Sequence, residues 1–334
     1  MGGEEMPQRL PFFSWRMLGF SCFLLACIAL IASCFHRPEP TLRVGVTPWP
    51  GNAPYFLARD LGYYGKSAIR LVEYPSIPEL FRAFQNHAIE AASMTSYEVI
   101  LLAGKRQNPH VVLLQDFSHG ADAILGQPGI TRMRDLKGRR VGVEVDALGI
   151  YVLSRALELS GMSPQDVKLV PLPLYHHESA FLDRQVDAVV TFEPKRSRLL
   201  AAGARELFNS TQIPGEIADC LVVREPAFKT YPQALETLVG AWFRTGAFIR
   251  SQPQAASRLM APGQGQTPQQ FSAALRGVTF PDQPENRRLL GDPNGSFAKA
   301  LNRLAKVMSR QGLVAGEVYS DVVLDDRLVR RLGP

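Results

Sequence analysis

Short apolar runs alternate with helix-start signals along most of this chain, and this alternation restricts the possible fold more than any other feature. Many of the runs are rich in valine and isoleucine and nearly continuous, which is typical of strands buried on both faces of a parallel sheet. Strands that alternate with helices predict an α/β protein. We predict strands at Leu42–Val46, Ile69–Glu73, Ile89–Ser93, Val111–Gln115, Ala123–Leu125, Arg140–Glu144, Val167–Val170, Ala188–Phe192 and Leu221–Arg224.

Capping residues mark several helix starts between these runs. Ser76 is followed three positions later by Glu79, and Thr95 by Glu98. A hydroxyl that accepts from the third helical amide, with a glutamate that reaches back, forms a capping box. From about Tyr231 the sequence is mainly helical, with breaks rich in proline and glycine. The chain therefore combines an α/β body with a helical tail.

The first part of the chain carries an export signal. Leu18 to Ala32 is apolar and is too short for a comfortable membrane span, but it has the length of a signal-peptide core. Ile31-Ala32-Ser33-Cys34 resembles the lipobox of bacterial lipoproteins, which implies cleavage before Cys34 and a lipid on that cysteine. An uncleaved anchor and an unlipidated signal are the alternatives, and the start codon is Met1 or Met6. We expect an exported, lipid-anchored protein that faces the periplasm or the cell exterior.

Charge and cysteine content narrow the function classes. The chain has 334 residues and a net charge of +6. Its basic residues cluster without interleaved aromatic residues, so we expect no nucleic-acid partner. Two of the four cysteines lie in the export signal, Cys34 is the predicted lipid site and Cys220 stands alone, so no disulfide is expected within the mature chain.

Three segments together carry a resemblance to a known family. They contain Leu61-Gly62-Tyr63-Tyr64, then DLKGRRVGV from Asp135 to Val143, then Val186-Asp187-Ala188 followed by Phe192-Glu193-Pro194. In this order and spacing they resemble the substrate-binding proteins of ABC importers for nitrate, sulfonates, taurine and the thiamine pyrimidine precursor. The resemblance covers roughly residues 42–225, and it departs from the family pattern at Asn86-His87 and at Glu90, near a turn.

The resemblance implies the periplasmic-binding-protein type II fold, an α/β architecture. This fold has two lobes, each with a mixed sheet flanked by helices, and a ligand cleft between them. The implied divisions are a signal peptide at 1–33, a tether at 34–40, lobe 1 at 41–121 and 225–334, and lobe 2 with the crossing strands at 122–224. We expect the crossings near Ala121–Gly126 and Leu221–Arg224.

The strand-end loops hold the candidate ligand contacts, because ligands of open α/β sheets bind where strands lead into helix N-termini. In the loop Thr47-Pro48-Trp49-Pro50-Gly51-Asn52, Trp49 offers a flat apolar wall and an indole N–H. Gly51 and Asn52 allow close approach of the backbone. The alternative is a core tryptophan that packs against a strand end.

Polar loop residues give two different indications of the ligand. The hydroxyls of Thr95 and Ser96 suit an oxyanion such as a sulfonate, with plain N-capping as the alternative. Acids at 116, 146 and 193 suit a cationic or amide N–H group instead. Glu193 can also serve as a helix N-terminal carboxylate, and His119 can be a satisfied loop histidine. We predict ligand contacts from Trp49, Asn52, Thr95, Ser96, His119, Asp146 and Glu193.

Other chemistry is poorly supported by the sequence. His176-His177-Glu178 lacks the i, i+4 histidine spacing of a helical metal site, so we expect no metal and no cofactor. The yeast-type pyrimidine-phosphate synthase resembles the same binding proteins but carries a cysteine-rich motif that this chain lacks. We therefore predict a monomeric, non-enzymatic binding protein for a sulfonate, taurine, nitrate or aminopyrimidine ligand, which it delivers to a membrane permease and its ATPase. A ligand-sensing lipoprotein that signals to a membrane partner is the alternative.

Overall fold

The computed structural model describes Gly2 and residues 40–315 and 322–333. The predicted signal peptide, the lipid site at Cys34 and nearly all of the tether lie outside these residues. Residues Thr41–Pro334 form one compact unit. Among the described residues, no helix combines the length and the apolar character needed to cross a bilayer.

The described residues form twelve strands that belong to two sheets. The strands are β1 (Leu42–Val46), β2 (Ile69–Glu73), β3 (Ala91–Thr95), β4 (His110–Ser118), β5 (Asp122–Gly126), β6 (Arg140–Val143), β7 (Lys168–Pro171), β8 (Ala188–Phe192), β9 (Arg205–Asn209), β10 (Ala218–Val223), β11 (Val278–Thr279) and β12 (Val323–Leu324).

Helices follow most of these strands and make up the C-terminal part. They are α1 (Ala53–Asp60), α2 (Ile77–Gln85), α3 (Ser96–Gly104), α4 (Leu148–Leu159), α5 (His177–Leu182), α6 (Lys195–Ala201), α7 (Glu225–Thr230), α8 (Pro232–Ser251), α9 (Pro253–Met260), α10 (Pro268–Leu275), α11 (Gln283–Gly291), α12 (Ser296–Arg310) and α13 (Arg327–Arg331).

The first sheet has the strand order β11-β4-β10-β3-β1-β2, and β12 also pairs with β4. β1 runs parallel to β2 and β3, whereas β10 is antiparallel to both β3 and β4. The second sheet has the order β7-β6-β8-β5-β9, with β5 antiparallel to β8 and β9. Both sheets are therefore mixed, as the sequence predicts.

The chain passes between the sheets twice, and the two connections are bonded to each other. The first runs from the end of β4 to β5, and the second runs from β9 to β10. Ser210 Oγ lies 2.8 Å from Ser118 Oγ and accepts from the N–H of Gly120 at 2.6 Å. The N–H of Asp122 donates to Ser118 Oγ at 3.2 Å. The hydroxyls of Ser118 and Ser210 thus join both connections at one point.

Most of the strand predictions agree with the structure, and three coincide at both ends: β1, β2 and β8. β9 was missed because its sequence, RELFN, is mostly polar and carries no apolar run. The predicted crossing at Leu221–Arg224 differs from the structure. β10 begins at Ala218 and pairs along its whole length with β3 and β4, so this segment belongs to the first sheet throughout.

The predicted helix caps are also present. Thr95 accepts from the N–H of Tyr97 at 3.1 Å, and Glu98 accepts from the N–H of Thr95 at 3.0 Å. Ser76 accepts from the N–H of Glu79 at 3.4 Å, although Glu79 accepts from the Ser76 hydroxyl rather than from its backbone. The tail from Tyr231 is mainly helical but also contributes β11 and β12 to the first sheet.

Candidate ligand-binding site

The loop after β1 places Trp49 against a buried carboxyl group. The indole Nε1 donates to Asp116 Oδ2 at 3.3 Å, and Trp49 is only 6% exposed. A Cβ at Gly51 would lie 2.1 Å from Asp116 Oδ2 and 2.2 Å from Trp49 Nε1, so only glycine permits this approach. The indole N–H is therefore used inside the protein, and Trp49 offers its ring surface rather than a donor.

Asn52 holds the same loop to its neighbours. Its Nδ2 donates to the carbonyl of Thr47 at 3.1 Å, and its Oδ1 accepts from Ser93 Oγ at 2.6 Å and from Gln115 Nε2 at 3.3 Å. A buried amide with both ends bonded resists reorientation, since each lost bond would leave a buried polar atom without a partner. Asn52 thus fixes the loop from β1 against β3 and β4.

A row of polar residues crosses the first sheet at one level. Thr95 on β3 lies opposite Asp219 on β10, and Asp219 lies opposite Asp116 on β4. Burial is the main cause that raises the pKa of Asp116, to about 7. Burial and the neighbouring Asp116 raise the pKa of Asp219 well above its usual value. The two carboxyl groups therefore share a proton near neutral pH, because two adjacent buried carboxylates repel each other.

A cavity of about 660 Å³, which includes its opening to solvent, lies between the two sheets. The first sheet and its loops provide one side, which we call the first wall; the second sheet and its loops provide the other, the second wall. The first wall consists of Thr47, Trp49, Asn52, Ile77, Ser93, Thr95, Ile217 and Asp219. The second wall consists of Asp122, Glu144, Ala147, Leu148, Gly149, His177, Val190, Thr191 and Phe192.

Aromatic residues connect the two walls. The rings of Trp49 and Phe192 lie 5.7 Å apart, with an interplanar angle of 79°. This edge-to-face geometry is favourable for aromatic pairs. Trp49 also belongs to a small apolar cluster with Ala121 and Val278. The ring of Trp49 therefore contacts both sides of the cavity.

The second wall carries two buried carboxyl groups and a neutral histidine. Burial raises the pKa of Asp122 to about 6 and that of Glu144 to about 7. His177 lies 3.1 Å from both Thr191 Oγ1 and the carbonyl of Leu172, and burial lowers its pKa to about 4. The histidine thus donates through Nε2 to the carbonyl, accepts at Nδ1 from the hydroxyl, and carries no charge at neutral pH.

Three of the seven predicted contact residues line this cavity: Trp49, Asn52 and Thr95. Their contact with a ligand stays a prediction. The hydroxyl of Thr95 is used in its own helix cap, where it donates to Glu98. It is therefore available to a ligand only as an additional acceptor.

The other four predicted residues do not line the cavity. Ser96 is buried, and its hydroxyl donates to the carbonyl of Glu216 at 3.4 Å. His119 and Asp146 are exposed, and Asp146 has a φ of +57°. Glu193 accepts from Arg196 at 2.9 Å and from the Ser197 hydroxyl at 2.8 Å, so it has the helix N-terminal role given above as its alternative.

Sequence reasoning missed four ionisable residues that line the cavity. Asp122 and Asp219 lie within predicted strands or beside them, where the apolar pattern hid them. Glu144 was assigned to the end of a strand, two positions before the selected Asp146. His177 was considered only as a metal ligand. Among the described residues, no cluster of three or more metal-binding side chains has the geometry of a metal site.

Comparison with known families identifies the family of this chain. The profile of the NMT1-like family matches residues 36–262, which is more than half of the chain. The chain belongs to the NMT1-like family.

Two curated relatives match part of this chain. A candidate binding protein of Brucella abortus (strain 2308) is 27% identical over 42% of this chain and 39% of its own length. A candidate aliphatic-sulfonate-binding protein of Escherichia coli K12 is 24% identical over 60% of this chain and 64% of its own length. The match therefore spans less than two thirds of either relative.

Solved structures show the same fold. The alkanesulfonate-binding protein of Xanthomonas axonopodis pv. citri superposes with a TM-score of 0.70 and 19% identity, over 86% of this chain and 99% of its own. A desulfurization enzyme superposes with a TM-score of 0.63 and 17% identity, over 87% and 98%. The predicted two-lobed fold is confirmed, and the fold also occurs in an enzyme.

Proposed function

We propose that this NMT1-like protein is the extracytoplasmic solute-binding component of an ABC importer. It captures a small organic molecule in the cavity between the sheets and delivers it to a membrane permease. The observation that carries the proposal is that one cavity is lined by both sheets, which two connections join within the described residues. Rotation about such connections opens and closes a cleft around a ligand. The likeness in fold to an alkanesulfonate-binding protein supports the same class.

We infer capture rather than catalysis from the groups in and near the cavity. His177 has a pKa of about 4, which makes it a weak base at neutral pH. Cys220 is buried in β10, and burial raises the pKa of its thiol well above the usual value. A nucleophilic cysteine needs the opposite shift, towards the thiolate.

The remaining parts of the proposal follow from the sequence. Export and the lipid on Cys34 rest on the signal-like segment and the lipobox resemblance. The lobe divisions and the monomeric state rest on the family resemblance. The contact roles of Trp49, Asn52 and Thr95 rest on their position in the first wall.

Ligand capture is tested by a thermal-shift screen with nitrate, alkanesulfonates, taurine, aminopyrimidines and aromatic acids. A true ligand at a hundredfold its dissociation constant adds about 2.7 kcal/mol to the free energy of unfolding.

Trp49→Phe reduces the aromatic ring in the first wall and is expected to weaken ligand binding about tenfold. The substitution removes the hydrogen bond to Asp116, which positions the ring, and part of the contact with Phe192.

Trp242→Phe is the matched control. Trp242 is equally buried, but it packs against Tyr55 and Phe280 and does not line the cavity. Both variants lose similar packing, so only the cavity residue should change affinity. Equal affinities for the two variants would contradict the cavity as the binding site.

A further inference from the structure

The cavity is lined by buried carboxyl groups from both of its walls. Asp219 belongs to the first wall, and Asp122 and Glu144 belong to the second. Each of the three residues is less than one-tenth exposed. Asp116 lies directly beside Asp219 in the sheet register, although it does not line the cavity itself. Four carboxyl groups therefore surround or adjoin one small space.

The protein does not neutralise these carboxyl groups with cations of its own. Within the described part of the chain, no lysine or arginine lines the cavity, and the only lining histidine is neutral. Arginines on α4 and α6, two helices of the second lobe, have other partners. Arg196 pairs with Glu193 and Glu206, and Arg155 pairs with Glu216. Any cation that pairs with these carboxyl groups must therefore come from a molecule that enters the cavity.

The carboxyl groups also keep unused acceptor capacity. Glu144 Oε1 accepts one hydrogen bond, from the N–H of Leu174 at 3.3 Å. The Ser118 hydroxyl partly offsets the effect of burial on Asp122. A carboxylate offers about four lone-pair sites, so both residues retain sites for further donors. Burial makes ionisation of these groups unfavourable, and a cationic donor placed beside them would lower their pKa and favour the ionised form.

The remaining lining is flat or apolar. Trp49 and Phe192 form an edge-to-face pair, and Leu148, Val190 and Ile217 lie around them. Such surfaces accommodate a hydrophobic or aromatic body, while a few polar groups fix its orientation. The N-terminus of α4 has no side-chain cap, and its first residues, Leu148 and Gly149, line the cavity. The backbone N–H groups at this helix N-terminus can therefore donate hydrogen bonds to an acidic group on the same ligand.

We propose that the solute carries a positively charged nitrogen with N–H donors, bound among Asp122, Glu144 and Asp219, with its apolar part against Trp49 and Phe192. This inference rests on the proposed capture function and specifies its ligand. It excludes ligands that carry only negative charge, such as nitrate or a simple alkanesulfonate. A zwitterion is compatible, because its nitrogen meets the carboxylates while its acid lies elsewhere in the cavity.

Matched pairs of compounds test the charge directly. Taurine and isethionate share the sulfonate and differ only in an ammonium against a hydroxyl. Benzamidine, benzamide and benzoate share the flat ring and carry positive, zero and negative charge. We expect the cationic nitrogen to improve binding about ten- to a hundredfold within each set, as measured by titration calorimetry.

Substitutions test whether the three carboxyl groups cause the preference for a cation. Asp122→Asn, Glu144→Gln and Asp219→Asn each remove one carboxylate and are expected to weaken cation binding about ten- to a hundredfold. Asp183→Asn is the control, because Asp183 is exposed on the second lobe and lies away from the cavity. Circular dichroism of each variant establishes that it is folded.

Proton release gives a second measurement on the unsubstituted protein. A bound cation favours ionised carboxylates, so its binding near pH 6 should release protons, and its affinity should rise towards pH 8. A bound anion would instead take protons up. The groups involved are Asp116, Asp122, Glu144 and Asp219, while His177 stays neutral over this range.

The outcomes separate this inference from the function on which it rests. If isethionate or benzoate binds as tightly as its cationic counterpart, or the three variants bind cations normally, the charge assignment is overturned and solute capture stands. If no compound of any charge binds, in these sets or in the wider screen, the capture function itself fails.

Discussion

On the first wall of the cavity the side chains of the loop after β1 and of the α3 cap are already bonded within the protein, whereas on the second wall the buried carboxyl groups keep free acceptors. Asn52 is bonded at both ends, Trp49 donates to Asp116, and Thr95 caps its own helix. Asp122 and Glu144 have few partners by comparison. The first wall therefore acts as a fixed template, and the second wall supplies groups that a ligand can use.

The largest effect at a fixed pH is expected from a substitution that disrupts the first wall. Gly51→Ala places a Cβ within 2.2 Å of both Trp49 Nε1 and Asp116 Oδ2. Trp49 Nε1 and Asp116 Oδ2 form a hydrogen bond with each other, and moving either atom away from the new Cβ would break it. The indole must therefore be displaced. We expect a loss of about 1–3 kcal/mol in the free energy of unfolding, measured by urea denaturation.

Gly263→Ala is the control for this substitution. A Cβ at position 263 would meet no atom within 4 Å, so a change of less than about 0.5 kcal/mol is expected. Equal stability of the two variants would show that the loop after β1 adapts freely and is no template.

The second effect depends on pH, because carboxyl groups in and beside the cavity are buried. Burial raises the pKa of Glu144 and of Glu98 to about 7, from an ordinary 4.5. As pH rises from about 4.5 to about 7, the unfolded chain loses these protons first. Stability contributed by the protonated forms is therefore lost over this range, by up to about 1.4 kcal/mol per pH unit for each group.

Variants isolate this contribution from that of other groups. His177, with its lowered pKa, acts in the opposite direction between about pH 4 and 6.5, so the unsubstituted protein alone is a poor test. Glu144→Gln and Glu98→Gln should each become more stable relative to the parent protein as pH rises to 7. Asp183→Asn should show no such trend. A pH-independent difference for Glu144→Gln would mean that its carboxyl is ionised like an exposed one.

The smallest effect is expected at the rim, where the lobes touch outside the cavity. Arg198 on α6 donates to the carbonyls of Gln264 and Gly265, both at 3.3 Å, and it is partly exposed. Arg198→Ala should weaken ligand binding about two- to fivefold, mainly through faster dissociation measured by stopped flow. Arg205→Ala, on an exposed edge strand, should leave the rate unchanged. Equal rates for both variants would remove the rim contact from the closing mechanism.

Three residues of the first wall, Trp49, Asn52 and Thr95, were predictable as candidates from the sequence because they occupy loops with strong local signals. Trp49 lies between two prolines and next to a glycine, and Thr95 begins a capping box. Such signals depend on a few neighbouring residues. The partners of these residues, Asp116 and Asp219, come from distant strands, and only the sheet register brings them together.

The second wall was predicted less well because side-chain direction there depends on tertiary structure. Asp146 has a positive φ and is exposed, whereas Glu144, two positions earlier, lines the cavity. Glu193 is bound by its own helix, and the preceding Phe192 meets Trp49. A shift of one or two positions along a strand or loop changes which side chain faces the cavity, and the apolar pattern alone does not resolve it.

The serine pair that joins the two connections has a consequence for the order of events during capture. Points near a pivot move little when two bodies rotate, and points far from it sweep a wide arc. Asp122 is bonded through its N–H to Ser118 at that pivot, whereas Glu144 directly follows β6, a different strand of the second sheet. We expect an arriving solute to contact Asp122 while the cleft is still open, and to contact Glu144 only as the two lobes close.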